Sequence, residues 1–310
     1  MISLLSHIRV VLVGFCMGAA DLVPGVSGGT IAFIGGIYER LLNGIKTADV
    51  TTLRLLLKGR LREVFQRVPV VFFLTLGGGL ITAILTLSRP LAALFESHPV
   101  QLWTFFFGLV LGSILLLAKE TWRWRVVDWI AFVVAAVATF WIVGLSAVQT
   151  PPTLLYLFFA GAIAICAMIL PGISGSYLLV IMGKYHQVLE AVNTRDFAAL
   201  AAFVGGIVVG VLSFVRVVSW LLRTWRHVTL VALTGIMAGA LRTVWPWKLT
   251  TATRINSKGQ EVPFTQVNVI PEDMSSAVVS VLPWLLAGLV AVIALSFLRP
   301  PATSTPTRTK

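Results

Sequence analysis

Two heptapeptides carry most of the chemistry this sequence could do. Pro24–Thr30 reads PGVSGGT and Pro171–Tyr177 reads PGISGSY. In each, a Pro-Gly step breaks the backbone and a Ser-Gly pair opens a new helix, with glycine supplying the turn and serine or threonine the cap. The first turn of such a helix has free N–H groups and a partial positive charge, so it attracts an anion, most strongly at low dielectric. The candidate anion contacts are Ser27, Gly28, Gly29 and Thr30 in the first copy, and Ser174, Gly175 and Ser176 in the second. The plainer reading is that these steps only break and pack helices. Two copies in mirrored positions favour the anion site.

A nucleophilic reading is weaker. Gly25-Val26-Ser27-Gly28 and Gly172-Ile173-Ser174-Gly175 have the GxSG form found in intramembrane serine proteases. That chemistry needs a buried histidine as base, whereas His7, His98, His186 and His227 all fall near segment ends. No Walker or Rossmann motif and no metal-ligand spacing appears, so neither a catalytic residue, a metal nor a cofactor is expected.

Several charges lie close to these motifs. Asp21 sits three residues before Pro24 in an apolar arm, and an intramembrane carboxylate is a functional candidate by default. It either carries a coupling proton or sodium ion, or orients the turn through a hydrogen bond to its amides. Glu39 and Arg40 follow the first motif and read as further coupling candidates or as a solvated helix end. Arg89 and Arg216 occupy matching positions in the two halves, which suits reception of a lipid headgroup on either side or snorkelling at an interface. Arg242, three residues after Gly239 and just before Trp245-Pro246-Trp247, completes the phosphate-binding candidates.

The elements that must position these residues are membrane helices. The 310 residues are 57% hydrophobic and 12% charged, against about 25% charged in a soluble domain. Six stretches are long and apolar enough to cross a bilayer, namely 68–87, 100–118, 129–148, 197–215, 228–245 and 277–298. Residues 8–45 and 153–192 are each too long for one span and are broken mid-way by the heptapeptides. Their arms of about 15–17 residues, ~24 Å at 1.5 Å per residue, read as re-entrant pairs that turn at mid-membrane depth. Exposed backbone of that kind is tolerated only where protein or an aqueous cavity surrounds it.

With both pairs re-entrant and the N-terminus cytoplasmic, 17 of the 24 Lys and Arg fall on the cytoplasmic side, seven of them between Arg40 and Arg67. The positive-inside rule is then strongly met. The net charge of +12 belongs to a face beside anionic lipids, and nucleic acid is not needed as a partner.

The chain also repeats itself. An offset of 147 superimposes Pro24, Gly25, Ser27, Gly28, Gly36, Tyr38 and Leu42 on Pro171, Gly172, Ser174, Gly175, Gly183, Tyr185 and Leu189; an offset of 127 superimposes Gly78, Gly79, Arg89, Gly108 and Gly112 on Gly205, Gly206, Arg216, Gly235 and Gly239. The GxxxG pairs read as close helix packing. The Trp-x-Trp pairs Trp122/Trp124 and Trp245/Trp247 read as interfacial belts. Each half has three crossings, an odd number, so the second half is inverted relative to the first, the sequence signature of a secondary transporter. The expected fold is all-α and polytopic. Residues 1–150 form the first inverted repeat with a basic cytoplasmic loop at 46–67. Residues 151–298 form the second with an outer loop at 248–275, and 299–310 form a disordered tail.

At these residues the chain resembles the polyprenyl-phosphate transporter (PopT-like) family of bacteria and archaea. The resemblance rests on GAADLVPGVSGGTIAFIGGIYERL (Gly18 to Leu41), ICAMILPGISGSYLLVIMGKY (Ile165 to Tyr185) and LRTVWPW (Leu241 to Trp247), and extends over residues 5–298. Lys184 departs from it, standing where many relatives have an apolar residue. The resemblance implies a multi-pass protein of the bacterial cytoplasmic membrane, both termini cytoplasmic, that returns undecaprenyl phosphate or a related polyprenyl phosphate from the outer to the cytoplasmic leaflet for cell-envelope synthesis. The lipid and the bilayer are the expected partners, with proton or sodium coupling and a homodimer as further expectations. A small-anion channel or transporter is the main alternative.

Overall fold

The computed structural model describes residues 4–23, 25–121, 123–145, 148, 150–255 and 261–299. Pro24, Trp122 and the tail from residue 300 lie outside the described residues. The chain is helical nearly throughout. A broken segment comes first, comprising α1 (Leu4–Asp21), α2 (Gly28–Ile34) and α3 (Tyr38–Lys46). After the short helices α4 (Val50–Leu57) and α5 (Leu61–Arg67) come three long ones, α6 (Val70–Ser97), α7 (Pro99–Glu120) and α8 (Val126–Ile142). The same order then recurs as α9 (Leu154–Ile169), α10 (Gly175–Ile181), α11 (Tyr185–Thr194), α12 (Phe197–Thr224), α13 (Arg226–Ala240) and α14 (Met274–Ser296). A 3-10 turn, Leu241–Val244, and an antiparallel hairpin, β1 (Lys248–Ile255) and β2 (Glu261–Asn268), separate the last two helices.

Glycine decides how these helices pair. α1 packs along α6 and α9 along α12, while α7 packs on α14 and α8 on α13. The third long helix of each half therefore rests on the second long helix of the other. At Gly108 a side chain would run into the Leu285 carbonyl, and at Gly239 into the Ala136 carbonyl. The GxxxG pairs thus permit backbone contact in the way expected of membrane helices. The main core gathers on α1, α2, α6, α7 and α13, while Leu74, Val134, Val290 and many other large apolar side chains face outward. The protein is a polytopic, all-α membrane protein with one small hairpin.

Both broken segments double back. A positive φ of 85° at Gly25 and 97° at Gly172, accessible to glycine at no steric cost, reverses the chain after α1 and α9. The end of α2 then runs back toward the first half of α1, where Arg9 donates to the Gly35 carbonyl at 3.1 Å. In the second segment Val148 N donates to Ile181 O at 2.8 Å. Lys184, buried at the N-cap of α11, donates to the carbonyls of Pro151 at 2.6 Å and Thr150 at 3.2 Å and to Gln187 Oε1 at 2.8 Å. Lys184 is therefore a clasp for the returning helix.

The helices differ in length from the sequence expectation. The stretch 68–87 continues as α6 to Ser97, through Pro90, because the residues beyond the proline remain apolar and the ring of Phe95 packs edge-on against Trp103, 5.1 Å between centroids. The stretch 197–215 likewise continues as α12 to Thr224, past Arg216. Five helical segments among the described residues are long and apolar enough to cross a membrane. α8 has only 17 residues, ~25 Å at 1.5 Å per residue. The basic stretch 46–67, expected as a loop, folds into α4 and α5, the first capped by Asp49 accepting from Thr52 N at 2.9 Å. Within 248–275, also expected as a loop, Thr- and Val-rich runs with β propensity pair as the hairpin.

Candidate functional site

The first broken turn is closed on itself. Ser27 caps α2 by accepting from Gly29 N at 3.1 Å, Asp21 Oδ1 accepts from Gly28 N at 2.7 Å, and Thr30 N donates to Ser27 O at 2.9 Å. All three amides of the first turn are thus engaged within the protein, and one of them holds a carboxylate. Ser27, Gly28, Gly29 and Thr30 are all buried, and among the described residues the Thr30 hydroxyl has no hydrogen-bond partner. The Ser27 hydroxyl points at the other half, 3.2 Å from Leu170 O and 3.5 Å from Met168 O. The two broken segments therefore touch where α9 ends.

The second turn is open. Ser174 is at the N-cap of α10 but makes no capping bond, and its hydroxyl lies 2.9 Å from Ser176 Oγ instead. The first-turn amides of Gly175, Ser176 and Tyr177 find no acceptor among the described residues, and Ser176 is exposed. The residue matching Asp21 here is Met168, so no carboxylate competes for them. The unengaged amides and the two hydroxyls are therefore donors available to an incoming acceptor.

Arg242 packs on the end of α8, where the Tyr177 hydroxyl from this turn also lands. It lies on the 3-10 turn that prolongs α13, with its guanidinium stacked over Phe140 at 4.5 Å and Nη1 donating to Phe140 O at 3.2 Å. Gly144 leaves room for it, since a side chain there would overlap the guanidinium. Tyr177, in the first turn of α10, donates its hydroxyl to Val143 O at 2.7 Å and lies within electrostatic reach of Arg242. The end of α8 thus contacts both Arg242 of the 3-10 turn and Tyr177 of α10.

The other candidates stand apart. Arg89 and Arg216 are exposed on α6 and α12, and Arg216 donates to the Leu212 carbonyl of its own helix. Neither forms an ion pair among the described residues. Glu39 pairs with Arg226 at 2.6 Å, joining α3 to α13. Arg40 stacks over Phe72 at 4.4 Å and lines a cavity of about 510 Å³ with Asn43, Gly44, Thr47, Arg67 and Pro69. His227 faces Asp128 at 3.3 Å.

Sequence reasoning missed Lys248, treating it as one more loop cation. Its ammonium sits 3.3 Å from the centroid of the Trp103 ring and donates to Thr243 O at 2.7 Å. The Thr243 hydroxyl in turn lies 2.7 Å from Ala240 O and 3.1 Å from Gly25 O, in the first broken turn. Trp103 also walls a second cavity of about 290 Å³ with Leu22, Ser88, Leu91, Ala92 and Phe95. The available signal was position, since this lysine directly follows Trp245-Pro246-Trp247.

The sequence profile of the VCA0040-like family, described as undecaprenyl phosphate translocase-like, matches residues 17–262. A polyprenyl-phosphate transporter of Vibrio cholerae is 42% identical over 290 residues, 94% of each chain. A polyprenyl-phosphate transporter of Staphylococcus aureus is 28% identical over 258 residues, 76% of this chain and 85% of its own. No solved structure matches. The family and both relatives are transporters, not enzymes. With the profile spanning most of the chain and the Vibrio relative matching nearly all of it, the protein belongs to the VCA0040-like, undecaprenyl phosphate translocase-like family.

Proposed function

We propose that this protein translocates polyprenyl phosphate, undecaprenyl phosphate above all, from the outer to the cytoplasmic leaflet of the bacterial cytoplasmic membrane by alternating access. Both termini are cytoplasmic, and residues 8–45 and 153–192 are re-entrant pairs within two inverted repeats, 1–150 and 151–298. The observation that carries the reading is the open first turn of α10, whose Tyr177 meets the same end of α8 as Arg242, with the V. cholerae and S. aureus relatives supporting the choice of lipid. The phosphate is bound by Gly175 and Ser176 amides, the Ser174 and Ser176 hydroxyls and Arg242, while the isoprenoid chain stays in lipid.

The reciprocal packing of α7 on α14 and α8 on α13 supports movement of one half against the other. In the opposite state Ser27, Gly28, Gly29 and Thr30 receive the phosphate. The Asp21 carboxylate, now on Gly28 N, must first be neutralised or withdraw, because two anions cannot share that amide. Asp21 is accordingly the coupling group, protonated or sodium-bound during transfer, and the Glu39–Arg226 pair, with Arg40 beside it, forms a contact that opens with it. Arg89 and Arg216 attract the headgroup to the membrane on either side.

The test is reconstitution into proteoliposomes, with movement of a polyprenyl phosphate between leaflets measured beside chloride and phosphate flux. Lipid movement without anion flux is expected. Anion flux without lipid movement would identify an anion channel instead.

A further inference from the structure

We propose that Lys248 and Trp103 form the reception site for the phosphate monoester headgroup on the outer leaflet, with the cavity behind Trp103 holding the first part of the isoprenoid chain. The inference rests on the transport reading above and adds a site upstream of α10.

An ammonium has three N–H donors. At Lys248 one goes to Thr243 O and one is directed at the Trp103 ring, which leaves the third without a partner among the described residues. No carboxylate lies within ion-pair distance of Lys248 among the described residues, although five such pairs form elsewhere. An ammonium with one N–H left over and no carboxylate in range can form a charge-assisted hydrogen bond to an incoming anion. Burial also pulls the ammonium down to about 7, so a bound anion would restore its charge.

The cavity defines what the anion is attached to. Leu22, Leu91, Ala92 and Phe95 make it apolar, and Ser88 is the one hydroxyl among its six lining residues. At about 290 Å³ it lies at the lower bound of small-ligand pockets, about 300–1,000 Å³. That size suits the start of a chain whose remainder lies in the bilayer. The ammonium packs on Trp103, which is itself a wall of this apolar slot, and that suits a lipid phosphate better than a free one. The site also leads inward, since Leu22 follows Asp21 directly and Thr243 ties Lys248 to Gly25 O.

The full chain in detergent is acylated with a water-soluble amine reagent at pH 7.5, and modification of Lys248 is followed by mass spectrometry with farnesyl phosphate, farnesol or inorganic phosphate present. Farnesyl phosphate is expected to slow modification several-fold, and the other two are expected not to. Binding of radiolabelled farnesyl phosphate is expected to weaken at least about tenfold in Lys248→Met, the scale of one charge-assisted hydrogen bond, and to persist in Lys248→Arg. Equal protection by farnesol, protection by inorganic phosphate alone, or unchanged binding in Lys248→Met would each overturn the inference. If proteoliposomes of the wild type move polyprenyl phosphate while Lys248 stays unprotected, the reception site fails and the transport reading stands. If they move none, both fail.

Discussion

The Ser27 hydroxyl lies 3.2 Å from the Leu170 carbonyl oxygen, a contact between residues 143 apart in the chain. Ser27 Oγ also accepts from Gly29 N, so one side chain both caps α2 and fastens the first broken turn to the end of α9. Ser174, its counterpart by repeat, does neither. Two turns of nearly identical sequence thus hold opposite roles in this conformation, one closed and one open.

Ser27→Ala is therefore expected to destabilise the fold and Ser174→Ala to leave it intact. Loss of an N-cap costs about 1 kcal/mol, and loss of the tie to α9 adds to it. Thermal unfolding in detergent should show a lowered Tm for the first variant and an unchanged one for the second, with phosphate-probe binding weakened in the second. Equal Tm losses would refute the asymmetry.

Adjacent glycines should respond in opposite directions. A methyl group at Gly79 would strike the Val11 carbonyl across the α1–α6 contact, whereas at Gly78 nothing lies within 4 Å. Gly79→Ala is expected to cost about 1–3 kcal/mol through overpacking. Gly78→Ala should gain about 0.5–1 kcal/mol from helix propensity. Tm shifts of the two variants, measured together, check the packing of α1 on α6 directly.

Headgroup capture at Lys248 should weaken as pH rises through about 7, where burial places its ammonium. The phosphate monoester is already dianionic above about pH 6, so the loss comes from the lysine. Trp103 and Thr243, the groups in contact with it, carry no charge that titrates in this range. Arginine stays charged throughout, so Lys248→Arg is expected to hold farnesyl phosphate at pH 8.5 where the wild type releases it. Parallel pH profiles for the two proteins would contradict this.

The proposed topology can be read from one position. Lys58 lies between α4 and α5 in the basic stretch and is exposed. A cysteine placed there should be labelled by an impermeant thiol reagent only after the membrane is opened. Labelling of intact cells would reverse the inverted-repeat assignment.

What the sequence disclosed follows the range of each interaction. The broken turns were legible because Pro, Gly and Ser dictate local backbone, and the GxxxG pairs because close approach demands glycine. Asp21 stood out as a carboxylate in an apolar arm, and its bond to Gly28 N spans only seven residues. The tie from Ser27 to Leu170 and the nesting of Arg242 between Phe140 and Gly144 depend on helix pairing across the halves, which no local pattern encodes. The apolar stretch 68–87 did not disclose that α6 runs on to Ser97. Packing of Phe95 on Trp103 carried the helix through. Lys248 was overlooked because its surroundings come from α7 and the 3-10 turn, not from its own strand.

The central claim is that the lipid headgroup crosses by way of the open end of α10. Its most direct test is the rate at which proteoliposomes move a fluorescent polyprenyl phosphate between leaflets, compared for the wild type, Ser174→Ala with Ser176→Ala, and Arg242→Gln. Rapid movement by the wild type and a loss of at least about tenfold in each variant, the scale of one charge-assisted hydrogen bond, is the expected result. Wild-type rates in both variants, or no lipid movement by the wild type, would contradict it.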